Sequence, residues 1–352
     1  MMRSKLPVNK TVNKKLLAKF ALGFGFGLGM LGVLPVLAPF PATSTPLFLS
    51  RRNTQAKLEV IKQFQGHQLT GEAIIQIHYS RDGRYLLSTA TDGLAKLWTG
   101  DGTLVREFPG QPLAMLFNGQ FNSDASRIVT ASYDGTVRIW SLSGLVLKEL
   151  RGHSSGATDV RFVGPGVVSS SDDGSIKFWS MDGTAWSSLT RPGVSRNMDL
   201  SPNGDLIAVT QDIGTITLLN PKAEVVKTIQ TGQGRLNSVN FSADGQRLVT
   251  AGFDGTARVF NLDGRELLKL KVLEKGWVTG AAFSRDNLIA TVSDDGVLRL
   301  WDVQGTLLDS YNPNLERLGS VAFHPNGHDL AVAAYHGTII LLKLNNHSHF
   351  NK

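Results

Sequence analysis

A glycine recurs seven times at nearly constant spacing, and this repeat limits the possible fold more than any other feature of the chain. The recurring positions are Gly93, Gly135, Gly174, Gly214, Gly255, Gly296 and Gly337. They lie 39 to 42 residues apart, and five of them directly follow an aspartate. Each turn precedes a strand-like segment, such as Thr136-Val137-Arg138-Ile139-Trp140. A period of about 40–45 residues with four strands per unit predicts an all-β, seven-bladed propeller.

The unit around Gly255 shows the predicted strands most clearly. Alternating apolar residues and turn residues divide it into strands a to d, at 238–241, 247–251, 256–261 and 265–270. Turns of the same kind separate the strands in the other units, so each blade is expected to be an antiparallel four-stranded sheet.

The ring is expected to be closed by the first strand of the repeat region. The last unit ends near Leu344, directly after its third strand. The segment 57–64 resembles the fourth strands predicted at 144–150 and 264–270. We therefore predict that 57–64 forms the outer strand of the seventh blade, which leaves only short sheet edges exposed.

These units resemble WD repeats, over residues 57–345. In that family a blade carries Gly-His before strand a, Ser or Thr in strand b, Asp in the b–c turn, and Trp at the end of strand c. The Asp-to-Trp spacing of six residues occurs at Asp92/Trp98, Asp134/Trp140, Asp173/Trp179 and Asp295/Trp301. Gly-His occurs only at 66–67 and 152–153. The units around Gly214 and Gly337 depart most from the pattern.

The resemblance implies a hydrogen-bonded structural tetrad, expected to be complete only in the third unit, as His153, Ser171, Asp173 and Trp179. Such polar groups are paired with each other because each would cost free energy if buried alone. A catalytic relay is the alternative, but a hydroxyl in mid-strand leaves no room for substrate. The sequence Gly152-His153-Ser154-Ser155-Gly156 matches the nucleophile pattern GxSxG, but a strand follows where that motif needs a helix. No catalytic residue is predicted.

The resemblance also implies where partners bind, namely the face formed by the d–a and b–c loops. Residues just before the turn aspartate and residues that lead into strand a are expected there. The candidates are Tyr133, Phe253, Tyr335, Arg235, Trp277 and Arg317. Aromatic and arginine side chains are enriched at interaction hot spots, so this set indicates a protein or peptide site, although each side chain can instead pack into a neighbouring blade.

The N-terminal region has a different composition from the repeats. Basic residues precede an uncharged apolar run at 20–38, followed by a stretch rich in Pro, Ser and Thr. This order is typical of an export signal, and the run is also about long enough to cross a bilayer. We therefore predict a cleaved signal peptide or a retained membrane anchor at 1–44, a linker at 45–56, the propeller at 57–345 and a polar tail at 346–352.

The charge of the repeats argues against a nucleic-acid partner. The chain carries a net charge of +7, but residues 1–56 contain eight Lys or Arg and no acid. The remainder holds 28 basic and 29 acidic residues, which offers little electrostatic attraction for a phosphate backbone. The chain has no cysteine, and its histidines lack metal-ligand spacing. No cofactor or metal is predicted.

The leading functional hypothesis is a non-catalytic scaffold that is exported and holds partner proteins on the periplasmic side of a bacterial membrane, or in a thylakoid lumen. The chain resembles exported, periplasmic WD-repeat proteins of bacteria, cyanobacteria included. The alternative is a propeller enzyme or small-ligand binder with its site at the mouth of the central channel.

Overall fold

The protein is built from antiparallel β-sheets arranged in sequence along the chain. The computed structural model describes residues 56–68, 74–111 and 114–346, and in these residues 28 strands form seven four-stranded sheets. We number the strands β1 to β28 in chain order and the blades one to seven in the order of the recurring glycines. The predicted all-β, seven-bladed propeller is confirmed.

Each of the first six blades consists of four consecutive strands. Blade one contains β2 (Ile74–Tyr79), β3 (Tyr85–Ala90), β4 (Leu94–Thr99) and β5 (Leu104–Pro109). Blade two contains β6 (Leu116–Phe121), β7 (Arg127–Ser132), β8 (Val137–Ser141) and β9 (Val146–Leu150). Blade three contains β10 (Ala157–Val163), β11 (Gly166–Ser171), β12 (Ser175–Ser180) and β13 (Ala185–Thr190).

The second half of the chain repeats this order. Blade four contains β14 (Ser195–Leu200), β15 (Ile207–Gln211), β16 (Thr215–Leu219) and β17 (Val225–Gln230). Blade five contains β18 (Leu236–Phe241), β19 (Arg247–Gly252), β20 (Thr256–Asn261) and β21 (Glu266–Lys271). Blade six contains β22 (Val278–Phe283), β23 (Ile289–Ser293), β24 (Leu298–Trp301) and β25 (Leu307–Tyr311). Blade seven contains β26 (Leu318–Phe323), β27 (Asp329–Ala334), β28 (Thr338–Asn346) and β1 (Ala56–Gln65).

Blade seven joins the two ends of the repeat region. Strand β1 pairs antiparallel with β28, from Ala56 opposite Asn346 to Gln65 opposite Thr338. The first strands of neighbouring blades also contact one another around the whole ring, including β26 with β2. The predicted closure by the N-terminal strand is therefore confirmed.

The recurring glycine follows from the geometry of the b–c turn. Gly296 and Gly337 have φ angles of 75° and 86°, where a side chain is strained. A Cβ on Gly296 would lie 2.0 Å from the carbonyl oxygen of Leu315, and one on Gly337 would lie 1.9 Å from that of His67. Backbone conformation and close packing against the neighbouring loop thus both require glycine here.

The hydrophobic core is divided into clusters between adjacent blades. Trp179 of blade three, for example, packs with Val129 and Ile139 of blade two. Trp140 likewise packs with Leu87 and Leu97 of blade one. The aromatic residues that end these c strands are therefore structural, because each one packs against the preceding blade.

The predicted signal or anchor at 1–44 lies outside the described residues, as do 45–55 of the linker and 347–352 of the tail. Among the residues that the structure describes, no helix is long and apolar enough to cross a membrane.

Candidate functional site

The tetrad of blade three forms a continuous hydrogen-bonded chain, but its hydroxyl comes from Ser169. The Ser169 Oγ lies 2.7 Å from His153 Nε2 and accepts a hydrogen bond of 2.8 Å from Trp179 Nε1. On the other side of the imidazole, His153 Nδ1 lies 3.3 Å from Asp173 Oδ2 and 3.0 Å from Ser175 Oγ. These contacts tie strands b and c to the loop that precedes strand a.

The assignment of Ser171 to this tetrad is therefore corrected. Ser169 and Ser171 point to the same side of β11, since alternate residues of a strand share a face. Trp179 pairs with Val167, so its indole reaches the serine two residues farther along, which is Ser169. Ser171 ends the strand, where its Oγ accepts a hydrogen bond from the backbone of Asp173 at 3.1 Å. A spacing of ten residues before the tryptophan identifies the correct serine.

Blade one carries a second complete tetrad, so the expectation that only the third unit has all four members is wrong. His67 Nε2 lies 2.8 Å from Ser88 Oγ, which also accepts a hydrogen bond of 2.9 Å from Trp98 Nε1. His67 Nδ1 lies 2.8 Å from Asp92 Oδ2. Ser88 is again ten residues before the tryptophan, and the same ten-residue spacing links Thr130 to Trp140.

In three blades that lack Gly-His, an arginine of strand c pairs with the turn aspartate. In each, the residue four positions after the turn aspartate forms an ion pair with it. The distances are 3.0 Å for Arg138 and Asp134, 2.8 Å for Arg258 and Asp254, and 2.6 Å for Arg299 and Asp295. The turn carboxylate therefore keeps a cationic or hydrogen-bonding partner whether or not the histidine is present.

The chemistry of the blade-three tetrad is that of a structural element. Burial lowers the pKa of His153, against the opposing effect of Asp173, so the imidazole is neutral. Burial would raise the pKa of Asp173, but hydrogen bonds from Ser175 and the backbone of Ser154 hold it well below its usual range. Because the Ser169 hydroxyl lies against both nitrogens and is fully buried, it has no free face for a substrate.

Five of the six predicted face residues form one continuous stack across blades five to seven. We call this set the arginine–aromatic ladder: Arg235, Phe253, Trp277, Arg317 and Tyr335. The Arg235 guanidinium lies 4.4 Å from the Phe253 ring centre, and the Phe253 and Trp277 ring centres are 4.7 Å apart. The Arg317 guanidinium lies 5.3 Å from the Trp277 ring and 4.9 Å from the Tyr335 ring. These separations are within cation–π range.

The repeat places these side chains side by side. Phe253 and Tyr335 directly precede the b–c turn, whereas Arg235, Trp277 and Arg317 each lead into a first strand. The Phe253 amide donates to the Arg235 carbonyl at 3.0 Å, and the Tyr335 amide donates to the Arg317 carbonyl at 3.0 Å. Antiparallel order brings the b–c and d–a loops to the same face, so adjacent blades continue the stack.

The two ladder arginines differ from those of the b–c turns because they have no ion-pair partner. Among the described residues, no carboxylate lies within 4.0 Å of the Arg235 or Arg317 guanidinium. Burial lowers the pKa of Arg235, and the nearby Arg196 lowers it further, while Asp212 and Asp172 oppose the shift. Arg196 is itself paired with Asp172 at 3.4 Å. Positive charge therefore remains available at the ladder.

Tyr133 does not join the ladder. It belongs to blade two, is 37% exposed, and makes an edge-to-face contact with Phe117, with the ring centres 5.9 Å apart. The backbone amide of Tyr133 donates to the carbonyl of Met115. Met115 therefore occupies in blade two the position that Arg235 and Arg317 occupy in blades five and seven. The position of Tyr133 on this face follows the repeat, but the structure does not bring it together with the other five.

The first strands also enclose a polar cavity of about 180 Å³ in the central channel, and no sequence motif marks the residues that line it. Its lining includes Gln76, His78, Arg161 and Asn197. Burial lowers the pKa of His78 to about 3, and Arg161 adds to this shift. Burial raises the pKa of Asp159, which is paired with Arg161, to about 6. His78 Nε2 and Arg161 Nε are buried without a hydrogen-bond partner in the described residues.

A metal site is not found within residues 56–68, 74–111 and 114–346, where no three His, Asp or Glu side chains are arranged to hold an ion. His347 and His349 lie outside those ranges.

Comparison with known proteins agrees with this architecture. A family model described as "IFT122 first beta-propeller" matches residues 73–343. The "uncharacterized WD repeat-containing protein slr1410" of Synechocystis is 62% identical over 330 residues, which cover 93% of this chain and 99% of that protein. The "WD repeat-containing protein slr1409" of the same organism is 38% identical over 82% of this chain and 88% of its own length. With the repeat spacing and the seven closed blades, these matches show that the chain belongs to the WD-repeat β-propeller family.

Proposed function

We propose that this protein is a non-catalytic scaffold that is exported and binds a partner protein through the face that carries the arginine–aromatic ladder. The observation that carries this proposal is the ladder itself, in which two arginines that form no ion pair with the described residues lie against three half-buried aromatic rings. WD-repeat propellers generally bind protein partners, and the proposal assigns that role to one surface of this chain.

The ladder has the composition of an interaction hot spot. Trp, Tyr and Arg dominate the binding energy of protein interfaces because they combine large contact area with directional polar groups. The arginines of the b–c turns are used internally, as in Arg138 with Asp134 and Arg299 with Asp295. Arg317 is instead held between Trp277 and Tyr335 without a carboxylate partner, so its charge is free to serve recognition.

Export is the second part of the proposal. Its support is the basic N-terminus followed by the apolar run at 20–38. The match to the 62% identical relative covers 93% of this chain, which is more than residues 56–352 contain, so it extends into the first 55 residues. We propose that the propeller lies on the periplasmic or lumenal side of a membrane, with residues 20–38 as its attachment if they are retained. The near-neutral charge of the repeats makes a nucleic-acid partner unfavourable.

Crosslinking and co-purification from the cell envelope test this function. Trp277→Ala is compared with Trp186→Ala, which removes a 50% exposed tryptophan on the outer strand β13, away from the ladder. A partner recovered with the wild-type protein and with Trp186→Ala is expected to be lost with Trp277→Ala, because truncating a hot-spot residue costs about 2 kcal/mol or more. Equal recovery with both variants would contradict the assigned face. The intact mass of the recovered chain reports whether 1–44 has been removed, and recovery in the cytosolic fraction alone would refute export.

The channel cavity favours a small-ligand site as a second candidate function. Its specific support is the pair of buried, unpartnered nitrogens, His78 Nε2 and Arg161 Nε, at a cavity of about 180 Å³. Native mass spectrometry of the purified protein tests it. A bound small molecule present in the wild type and absent from His78→Gln supports the site, whereas identical masses apart from the substitution exclude it.

A further inference from the structure

We infer that the arginine–aromatic ladder selects an acidic, extended peptide segment that presents two carboxylates, one to Arg235 and one to Arg317. This inference rests on the proposed function, because it names the chemistry of the partner at the same face. It follows from how the two guanidinium groups are held, how far apart they are, and which acids of the protein surround them.

Each guanidinium is held over aromatic rings. The Arg235 guanidinium lies 4.4 Å from the Phe253 ring centre, and that of Arg317 lies 5.3 Å from the Trp277 ring and 4.9 Å from the Tyr335 ring. Among the described residues, neither guanidinium donates a hydrogen bond, so their N–H groups are available to a carboxylate, which can accept two parallel hydrogen bonds. Because the rings already restrict the side chains, less conformational entropy is lost on binding than for free arginines.

The nearby acids that the structure describes form no ion pair with these two arginines. Asp172 pairs with Arg196 at 3.4 Å, and Glu316 faces His336 at 3.3 Å. Asp212 accepts a hydrogen bond of 2.9 Å from the backbone of Val194, and both Asp172 and Asp212 act on Arg235 only from a longer distance. The Arg235 and Arg317 guanidinium groups can therefore each form a direct ion pair with a carboxylate of a partner.

The ladder also carries one acid of its own, which favours discrete carboxylates over a continuous polyanion. The Asp294 side chain lies against Gly276, the residue before Trp277, and the Asp294 amide donates a hydrogen bond of 3.1 Å to the Trp277 carbonyl. Asp294 therefore has in blade six the position that Phe253 and Tyr335 have in blades five and seven. No cation of the described residues pairs with Asp294. A nucleic-acid strand would place phosphates along the whole ladder, and the Asp294 carboxylate would repel them. A peptide can instead place a neutral residue next to Asp294.

The length of the ladder limits the spacing of the two acids. The distances from the Arg235 guanidinium to the Phe253 ring, from that ring to Trp277, and from Trp277 to the Arg317 guanidinium are 4.4, 4.7 and 5.3 Å. The two guanidinium carbons are therefore no more than about 14 Å apart. An extended peptide advances about 3.3 Å per residue. Two Asp or Glu residues up to about four positions apart can therefore reach both arginines.

Selection of short random peptides displayed on phage against the purified full chain tests the inference. The peptides recovered are synthesised with a fluorescent label, and their affinities are measured for the wild type, Arg235→Gln, Arg317→Gln and Trp277→Ala. Arg265→Gln is the matched control, because Arg265 is exposed in the c–d turn, at the opposite end of the strands. Thermal melting confirms that every variant is folded.

We expect recovered peptides to be enriched in two acids up to about four positions apart. Arg235→Gln, Arg317→Gln, and Glu→Gln or Asp→Asn changes in the peptide should each weaken binding about ten-fold or more, because each removes a charge-assisted pair. Arg265→Gln should leave the affinity unchanged.

Three results would overturn the inference. Peptides that require Trp277 but contain no acids and tolerate Arg317→Gln would refute the acidic partner while leaving the proposed binding face intact. Recovery only of peptides that bind Trp277→Ala normally would refute both. A single-stranded oligonucleotide that binds as tightly as the peptides, with the same dependence on Arg235 and Arg317, would assign the ladder to a polyanion instead.

Discussion

The two serines of β11 offer the sharpest test of how the blades are held together. Ser169→Ala removes the hydroxyl that lies between His153 Nε2, at 2.7 Å, and Trp179 Nε1, at 2.8 Å. The His153 side chain is fully buried and Trp179 is 1% exposed, so water cannot replace the hydroxyl without disrupting the packing. Ser171→Ala removes an equally buried hydroxyl two residues away, in the same strand and on the same face.

The expected cost follows from the number of groups that lose their partner. Each buried polar group left unsatisfied costs about 1–3 kcal/mol, and Ser169→Ala leaves two of them, His153 Nε2 and Trp179 Nε1. It should therefore destabilise the protein by about 2–6 kcal/mol. The unfolding entropy of a domain of this size is about 0.6 kcal/mol per degree, which converts the loss to a fall in Tm of about 3–10 °C. Ser171→Ala removes only hydrogen bonds to two backbone groups, the Asp173 amide of the b–c turn and the Ser155 carbonyl of the loop before β10, and should lower Tm by less than about 2 °C.

Calorimetry of the purified variants measures these shifts, and a double-mutant cycle identifies their origin. Trp179→Phe removes the indole N–H, so the combined Ser169→Ala and Trp179→Phe variant should be less destabilised than the sum of the two single changes. Equal melting temperatures for Ser169→Ala and Ser171→Ala would refute the assignment of the bridging hydroxyl. Strict additivity in the cycle would show that the Ser169–Trp179 hydrogen bond contributes no coupling.

Three further predictions concern closure, packing and pH. Deletion of β1 (Ala56–Gln65) removes the partner of β28 and should abolish the cooperative thermal transition, and an unchanged melt would contradict the closed ring. Trp140→Ala should destabilise by about 3–5 kcal/mol in urea denaturation, because Trp140 is 3% exposed between blades one and two; a loss below about 1 kcal/mol would place it outside the core. The pKa of His78 is lowered from 6.5 to about 3 in the folded protein. As the pH falls, the unfolded chain therefore binds a proton at a higher pH than the folded protein does, and stability decreases below pH 6.5. Between pH 6.5 and 4 the wild type should lose about 3 kcal/mol more than His78→Gln, and parallel pH profiles would refute this.

Part of the fold could be predicted because it depends on local chemistry that recurs. The b–c turn of Gly296 requires a positive φ and leaves no space for a Cβ, so the glycine marks every blade in the sequence. The closing strand was predictable for a similar reason, because the last unit lacks a fourth strand and 57–64 supplies a segment of matching pattern.

The details of the tetrads could not be read from the motif alone. Ser169 and Ser171 share a face of β11, and the pairing of Trp179 with Val167 decides which of them the indole reaches. The complete set in blade one is not evident from the motif, because the register of the strands decides that the indole of Trp98 reaches Ser88, ten residues before it.

The number of blades, the turn that defines each one and the strand that closes the ring are encoded locally, in residues close together in the chain or in a periodic pattern. The stack of Arg235, Phe253, Trp277, Arg317 and Tyr335, with Tyr133 outside it, is visible only in the folded ring. Residues of three different blades meet there because the ring brings equivalent loops to one face. Distances between such side chains depend on how neighbouring blades pack, which no local pattern encodes.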